Sequence, residues 1–396
     1  MPSHSPKRIA VIATIYTYLS HAQHFADRFL VGYPVKGAWH RPSIQIASLY
    51  VDQKPVGDQS QDRAQEFGFS VFPSVAETLR CGGDRLAVDG VLIIAEHGEY
   101  PNNEKGQKLY PRYELFKECV TVFEQDGRSV PVYNDKNLSY SFPKALEMVA
   151  DAQRLGFSIL AGSSLPVTWR LPDLELPLGC EIDEALMVGV GGSDAMDYHA
   201  LEAMQCMIER RKGGETGVKA VQLVEGDAVW EAGKQGRFST ELLTSALSRS
   251  DSPQGLTIKD GRTQDLVGTD ELFKLVKDPS AYFIEHRDGL HTTLLMLNGA
   301  VGDYCFAARI KNNPNPHSTQ FFLPPTPPVT YSACLVAKIE DLLLTGRSPI
   351  PVERTLTVCG ILDYCLTSKQ QGGARIETPD HNVTYRAPAT SQHATD

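Results

Sequence analysis

Four short clusters in this sequence bring together side chains able to do chemistry. The first is Asp135-Lys136, which closes the apolar run Val130-Pro131-Val132-Tyr133-Asn134 and precedes Ser141-Phe142-Pro143-Lys144. That last tetrapeptide reads as a cap plus an early-turn proline, and Phe142, Ala145, Leu146, Val149, Ala152 and Leu155 follow at helical spacing as far as Gly156. Strand, charged turn and helix in that order put the acid and the lysine past the carboxyl end of a strand, where open parallel sheets bind ligands. A solvated turn is the plainer alternative. The second cluster is Glu96-His97-Gly98-Glu99, directly after the apolar run Val88 to Ala95, and the third is Ser20-His21-Ala22-Gln23-His24. The fourth is Gly191-Gly192-Ser193-Asp194-Ala195-Met196-Asp197-Tyr198-His199, at the start of a helix whose apolar stripe is Ala200, Ala203, Met204, Met207 and Ile208. Ser193 or Asp194 can cap that helix. Asp197 is equally readable as a capping-box acid and His199 as a satisfied core histidine.

The elements that must position these groups follow from alternating patterns. Lys7 to Ala13 is a continuous apolar strand of the kind buried on both faces of a parallel sheet. Ile44 to Val51, Val71-Phe72, Val88 to Ala95, the stretch ending at Asp135, and Phe157 to Gly162 continue the series. Helices are expected up to Gly68, over Ser74 to Leu79 and over Tyr113 to Glu124. The alternation implies right-handed crossovers and one parallel sheet. Beyond Ser163-Ser164-Leu165-Pro166, the runs Glu184 to Gly189, Val218–Val224, Ala281–Glu285, His291–Leu297 and Tyr304–Ile310 suggest a largely antiparallel sheet, with a helix near Ser239–Ser248 and closing helices over Ala333 to Leu344 and Val352 to Ser368. The fold class is α/β: a Rossmann-like parallel-sheet domain over 1–163, an α+β domain over 164–386, and a frayed tail over 387–396.

The composition narrows the partners. A chain of 396 residues, 42% hydrophobic, can bury a large core, and a formal charge of −10 with a pI near 5.6 argues against nucleic-acid or anionic-membrane surfaces. No stretch is long enough to span a membrane. The eight cysteines are scattered without a Cys-x-x-Cys pair, so a reduced cytoplasm is the expected location.

Taken in order, these pieces resemble the Gfo/Idh/MocA family of NAD(P)-dependent sugar and cyclitol oxidoreductases. Arg63 to Ala95 follows the family pattern, Asp135-Lys136-Asn137-Leu138 is similar to its Glu-Lys-Pro-Leu, and Gly191 to His199 is similar to its Gly-Gly, Asp and His helix start. The family's aspartate stands four residues before its histidine. Here Asp197 stands two residues before His199 and Asp194 five, so either can be the partner. The resemblance implies a soluble enzyme moving hydride between a polyol and NAD, with Lys136 steadying the developing alkoxide, His199 taking the proton, and Asp197, Asp194 or Asp135 orienting them. It implies cofactor contacts at Ala13, Thr14, Ile15, Tyr16, Asp52, Glu96, His97 and Lys136. Asp52, at the end of the second strand, suits a ribose diol and would repel a 2′-phosphate, favouring NAD over NADP. The segment after Ala13 lacks the Gly-x-Gly-x-x-Gly that lets backbone approach pyrophosphate. Homo-oligomerisation through an open sheet in the second domain is expected by the same analogy.

What replaces those glycines raises a second possibility. His21, His24, Glu96, His97 and Glu99 could hold a divalent metal and make the scaffold a lyase, isomerase or hydratase on a keto-sugar. A third possibility is a sensor that binds a sugar or nucleotide without turnover.

Overall fold

Hydrophobic runs buried on both faces force the first strands into the middle of a layered sandwich, and this governs the architecture. In a computed structural model, residues 6–192, 194–252, 265–326 and 329–395 are described. The chain opens with β1 (Lys7–Ala13), α1 (His21–Val31), a hairpin of β2 (Tyr33–Val35) and β3 (Ala38–His40), and β4 (Ile44–Val51). It continues through α2 (Ser60–Phe67), β5 (Ser70–Val71), α3 (Val75–Arg80), β6 (Gly90–Ile94), α4 (Arg112–Asp126), β7 (Val132–Asp135), α5 (Phe142–Leu155) and β8 (Ile159–Gly162). The sheet runs β5-β4-β1-β6-β7-β8 with every pairing parallel. Its order reverses between β1 and β6, the place where such sheets open a crevice.

β1 shows why both faces are covered. Ala10 and Ile12 pack with Leu79, Phe116 and Val120 on one face, while Ile9, Val11 and Ala13 pack with Phe25, Phe29, Leu335 and Ile339 on the other. Local signals set the helix ends. Ser20 and Ser74 accept from the N–H groups of Gln23 and Glu77, and Gly156 ends α5 in the left-handed region. Ser141 occupies the cap position of α5 without making the expected side-chain bond. Asp363, from far along the chain, accepts from the Phe142 N–H at 2.9 Å instead.

The second half comprises β9 (Trp169–Leu171), β10 (Ile182–Gly189), α6 (Asp194–Ile208), β11 (Val218–Glu225), α7 (Asp227–Lys234), α8 (Thr240–Leu247), α9 (Glu271–Leu275), β12 (Ser280–His286), β13 (His291–Met296), β14 (Tyr304–Ile310) and β15 (His317–Phe322). It closes with α10 (Tyr331–Thr345), α11 (Val352–Gln370) and β16 (Ile376–Glu377). The second sheet is ordered β16-β11-β12-β13-β10-β14-β15-β9 and is antiparallel except for the β10–β13 pair. α10 returns to cover the first sheet, with Leu335, Val336, Ile339 and Leu343 in its core. α11 lies between the halves: Leu356 and Cys359 join the first core, and Val358, Ile361, Leu362 and Cys365 the second.

Two expectations need correction. The face of the second sheet expected to be open for pairing is covered: Leu186, Val188, Phe283, Leu295 and Ala307 are buried under Val229 and Trp230 of α7 and Leu242 and Leu243 of α8. The residues after Ala387 do not fray throughout. His393 is buried with Nε2 at 2.6 Å from Asp173 Oδ1, and the Ala394 N–H donates to Val167 O. The sequence reading also missed the β2–β3 hairpin, β9, β15 and α7; Ser193 lies outside the described residues. No disulfide is formed among the described residues, and no described helix is long and apolar enough to cross a membrane.

Candidate active site

The loops leaving β6 and β7 build the floor of the site. His97 and Lys136 hold left-handed backbones, with φ of 69° and 62°, a conformation costing roughly 1–2 kcal/mol for a residue with a Cβ. The surroundings hold it in place: Lys136 exchanges both backbone hydrogen bonds with Gly162, at 3.0 and 3.1 Å. Lys136 Nζ thereby reaches Glu96 Oε1 at 2.8 Å, and the Arg112 guanidinium bonds to Glu96 Oε2. Arg112 also donates from Nε to the Asp135 carbonyl at 3.1 Å. All three side chains are buried. Burial alone would raise the Glu96 carboxyl, but Lys136 and Arg112 outweigh it and hold that carboxyl well below the usual range.

Asp135 does not orient Lys136. Its Oδ2 lies 2.6 Å from His21 Nδ1, and its Oδ1 accepts from the Tyr133 hydroxyl at 3.3 Å. His21 stands over the edge of His97, with ring centroids 5.0 Å apart, and near His24 at 5.9 Å. A cavity of about 290 Å³ opens here. His21, His24, His97, Asp135, Lys136 and His199 line it, with Phe25, Met196, Leu323 and Tyr331 among its walls. His24 Nε2, His97 Nε2 and His199 Nδ1 are buried with no hydrogen-bond partner among the described residues. Burial, reinforced by neighbouring cations, pushes His24 down to about 4, lowers His97, and drives His199 well below the ordinary imidazole value. These three rings are neutral near pH 7 and offer uncommitted ring nitrogens to whatever fills the cavity.

α6 brings His199 to this cavity and sends its neighbours elsewhere. Asp197 is buried and accepts from the Tyr282 hydroxyl of β12. Burial, with Asp194 adding and Tyr282 opposing, holds its carboxyl up at about 6. Asp197 is therefore tied into the second sheet and does not line the cavity, which removes it as the partner of His199. Asp194 lies in the field of Arg112, Glu96 and Lys136, and burial raises its carboxyl. One helical turn separates the two acids, so the side that faces the crevice is decided by where α6 docks.

The positions expected to meet a cofactor divide similarly. Ala13, Thr14 and Tyr16 are fully buried, with Thr14 Oγ1 donating to Glu96 O at 2.8 Å and Tyr16 OH to Asp27 at 2.6 Å. Only Ile15 of that tetrapeptide is partly open. Asp52 is exposed at the end of β4 and accepts from Tyr50 OH at 3.0 Å and Tyr100 OH at 2.5 Å. The supposed metal set does not assemble. Glu96 is turned to its two cations, and Glu99 is exposed with its backbone paired to Gln53. Among the described residues no three His, Cys, Asp or Glu side chains could hold a metal ion.

Arg112 is the member of this buried charge cluster that sequence reading missed. A signal was present: it is the first residue of α4, where the helix dipole disfavours a cation unless an anion offsets it.

The sequence matches no family model and no curated protein. Solved structures do match. GenD2 from gentamicin A biosynthesis, in complex with NAD, aligns with a TM-score of 0.57 at 14% identity, covering 96% of this chain and 98% of its own. The myo-inositol 2-dehydrogenase from Lactobacillus plantarum aligns at 0.54 and 11% identity, covering 94% and 99%. The myo-inositol dehydrogenase from Lactobacillus casei, in complex with NAD(H) and myo-inositol, aligns at 0.54 and 8% identity, covering 94% and 96%. The shared property is the fold, over nearly the whole length of each chain.

Proposed function

We propose that this protein is an oxidoreductase that uses NAD to oxidise or regenerate a secondary alcohol of a sugar or cyclitol. One observation carries the reading: Lys136 from the parallel-sheet half and His199 from the other half line one cavity, at the carboxyl edge of a sheet whose structural neighbours include proteins solved with NAD. The cavity, about 290 Å³, is of a size for one polyol ring. Lys136 has three N–H donors and gives one to Glu96, so others remain for an alkoxide.

The donor set fits the cofactor. Asp52 already accepts two hydroxyls, from Tyr50 and Tyr100, which is the chemistry a ribose diol would offer. The side chains of Thr14 and Tyr16 turn inward, so the turn after β1 does not fill the crevice with them, although it lacks glycine. The pyrophosphate would then be met by the N-terminal end of α1. When bound, the nicotinamide supplies the hydride acceptor. The protein's own tasks are to fix the polyol against Lys136, to exclude water with Phe25, Met196 and Leu323, and to handle the hydroxyl proton.

The test is calorimetric titration with NAD and NADP, followed by NADH formation across a panel of inositols and hexoses. NAD binding tighter than NADP, and turnover with a neutral polyol, are expected. Lys136→Ala should lower turnover far more than it weakens NAD binding. Failure to bind either dinucleotide overturns the reading, and a polyol that raises the melting temperature without forming product would make the protein a sensor.

A further inference from the structure

We infer that His21, held by Asp135, is the proton acceptor of this site and takes the hydroxyl proton of the substrate. The inference deepens the oxidoreductase reading and assigns to α1 a task expected of His199.

The pairing is specific in geometry. Asp135 Oδ2 lies 2.6 Å from His21 Nδ1, and the carboxylate is 1% exposed. A carboxylate only accepts, so Nδ1 carries the hydrogen, and in the neutral ring Nε2 keeps a bare lone pair. Edge contacts to Phe25, at 5.7 Å and 84°, and to His97, at 5.0 Å and 73°, fix the plane of the ring. Nε2 has no hydrogen-bond partner among the described residues, and the ring lines the cavity beside Lys136. A positioned imidazole backed by a buried acid is the arrangement that lets a histidine accept a proton and then bear the charge.

The other candidates are poorer. Among the described residues His24, His97 and His199 have no carboxylate partner, and burial with neighbouring positive charge disfavours their protonated forms. Lys136 is bonded to Glu96 and Asp197 to Tyr282. In the step, the substrate O–H bond breaks and its proton forms an N–H bond at His21 Nε2. The electron pair of the carbinol C–H bond leaves as hydride to a nicotinamide dinucleotide, so the alcohol becomes a ketone and the cofactor is reduced. Asp135 offsets the imidazolium, and Lys136 bonds to the oxygen while charge develops on it.

The experiment uses the full chain and has two independent readouts. In nitrogen-detected NMR of protein carrying isotope-labelled histidine, His21 should show a protonated Nδ1 and a bare Nε2, and Asp135→Asn should shift the proton toward Nε2. In turnover of a polyol with NAD, His21→Asn should lower kcat by about 10²–10⁴-fold, with NAD affinity changed less than threefold. A wild-type His21 protonated at Nε2, or His21→Asn turning over within threefold of wild type, overturns the dyad and leaves the oxidoreductase standing. Wild-type protein that binds no dinucleotide overturns the oxidoreductase, and the tautomer measurement still decides the dyad.

Discussion

Replacing Glu96 by glutamine keeps the shape of the side chain and removes a carboxylate bonded to two buried cations. Lys136 Nζ is 2.8 Å from Oε1 and Arg112 bonds to Oε2. At an effective dielectric near 20, a pair at that separation attracts by about 6 kcal/mol. Desolvation of the three groups offsets much of this, and breaking a buried pair from one side costs about 3–5 kcal/mol, because the other partner stays buried and uncompensated. With an unfolding entropy of about 2.1 cal/mol/K per residue, a chain of 396 residues should lose about 4–6 °C in Tm. The pH dependence has a definite sign. The folded Glu96 carboxyl is held below its unfolded value, so its contribution is complete above a pH of about 4.3 and fades as the pH falls from there through the folded value. Thermal unfolding of wild type and Glu96→Gln should therefore differ by a constant amount from pH 5 to 8 and converge only in stronger acid. Adding Lys136→Met to Glu96→Gln removes one stranded cation and should restore part of the loss. If Glu96→Gln melts within about a degree of wild type at pH 7, the three groups are not coupled as argued.

Three further outcomes are expected. Tyr100→Phe frees one acceptor of Asp52, and because a hydrogen bond to a charged group is worth about 1.5–3 kcal/mol, NAD should bind about 10- to 150-fold tighter by calorimetry; weaker binding would contradict the proposed ribose role of Asp52. Asp197, held up at about 6, keeps its proton in the folded state where the unfolded chain has lost it, so wild-type stability falls between about pH 4 and 6. Asp197→Asn should therefore stabilise by about 1–3 kcal/mol at pH 8 and not at pH 4, and a gain equal at both pH values would show that the cause is not ionisation. Gly162 has φ +125°, and a Cβ there would run into the Glu202 carboxylate. Gly162→Ala should cost about 2–4 kcal/mol in denaturant titration and lower kcat by displacing the backbone that holds Lys136.

Much of the fold was legible because its signals are local. β1 was bounded residue for residue by its continuous apolar run, β4 by the strand-like stretch Ile44 to Val51, and α5 by its periodicity between Ser141 and Gly156. Strands missed in the second half, such as β15 (His-Ser-Thr-Gln-Phe-Phe), carry polar residues that are buried only because β9 and β14 flank them. The covered face of the second sheet was equally hidden, since alternation shows that a face is apolar and not what lies on it.

The sequence by itself determined that Asp135, Lys136, Glu96 and His97 stand at strand ends, because hydrophobic burial fixes where a strand stops. Pairing was decided only in three dimensions. Asp135 meets His21 across 114 residues and Lys136 meets Glu96 across 40, so adjacency in sequence suggested an Asp135–Lys136 unit that does not exist. Lys136 stands one residue past β7 with a left-handed backbone, and the buried charge nearest to each side chain, not its neighbour along the chain, determines its partner.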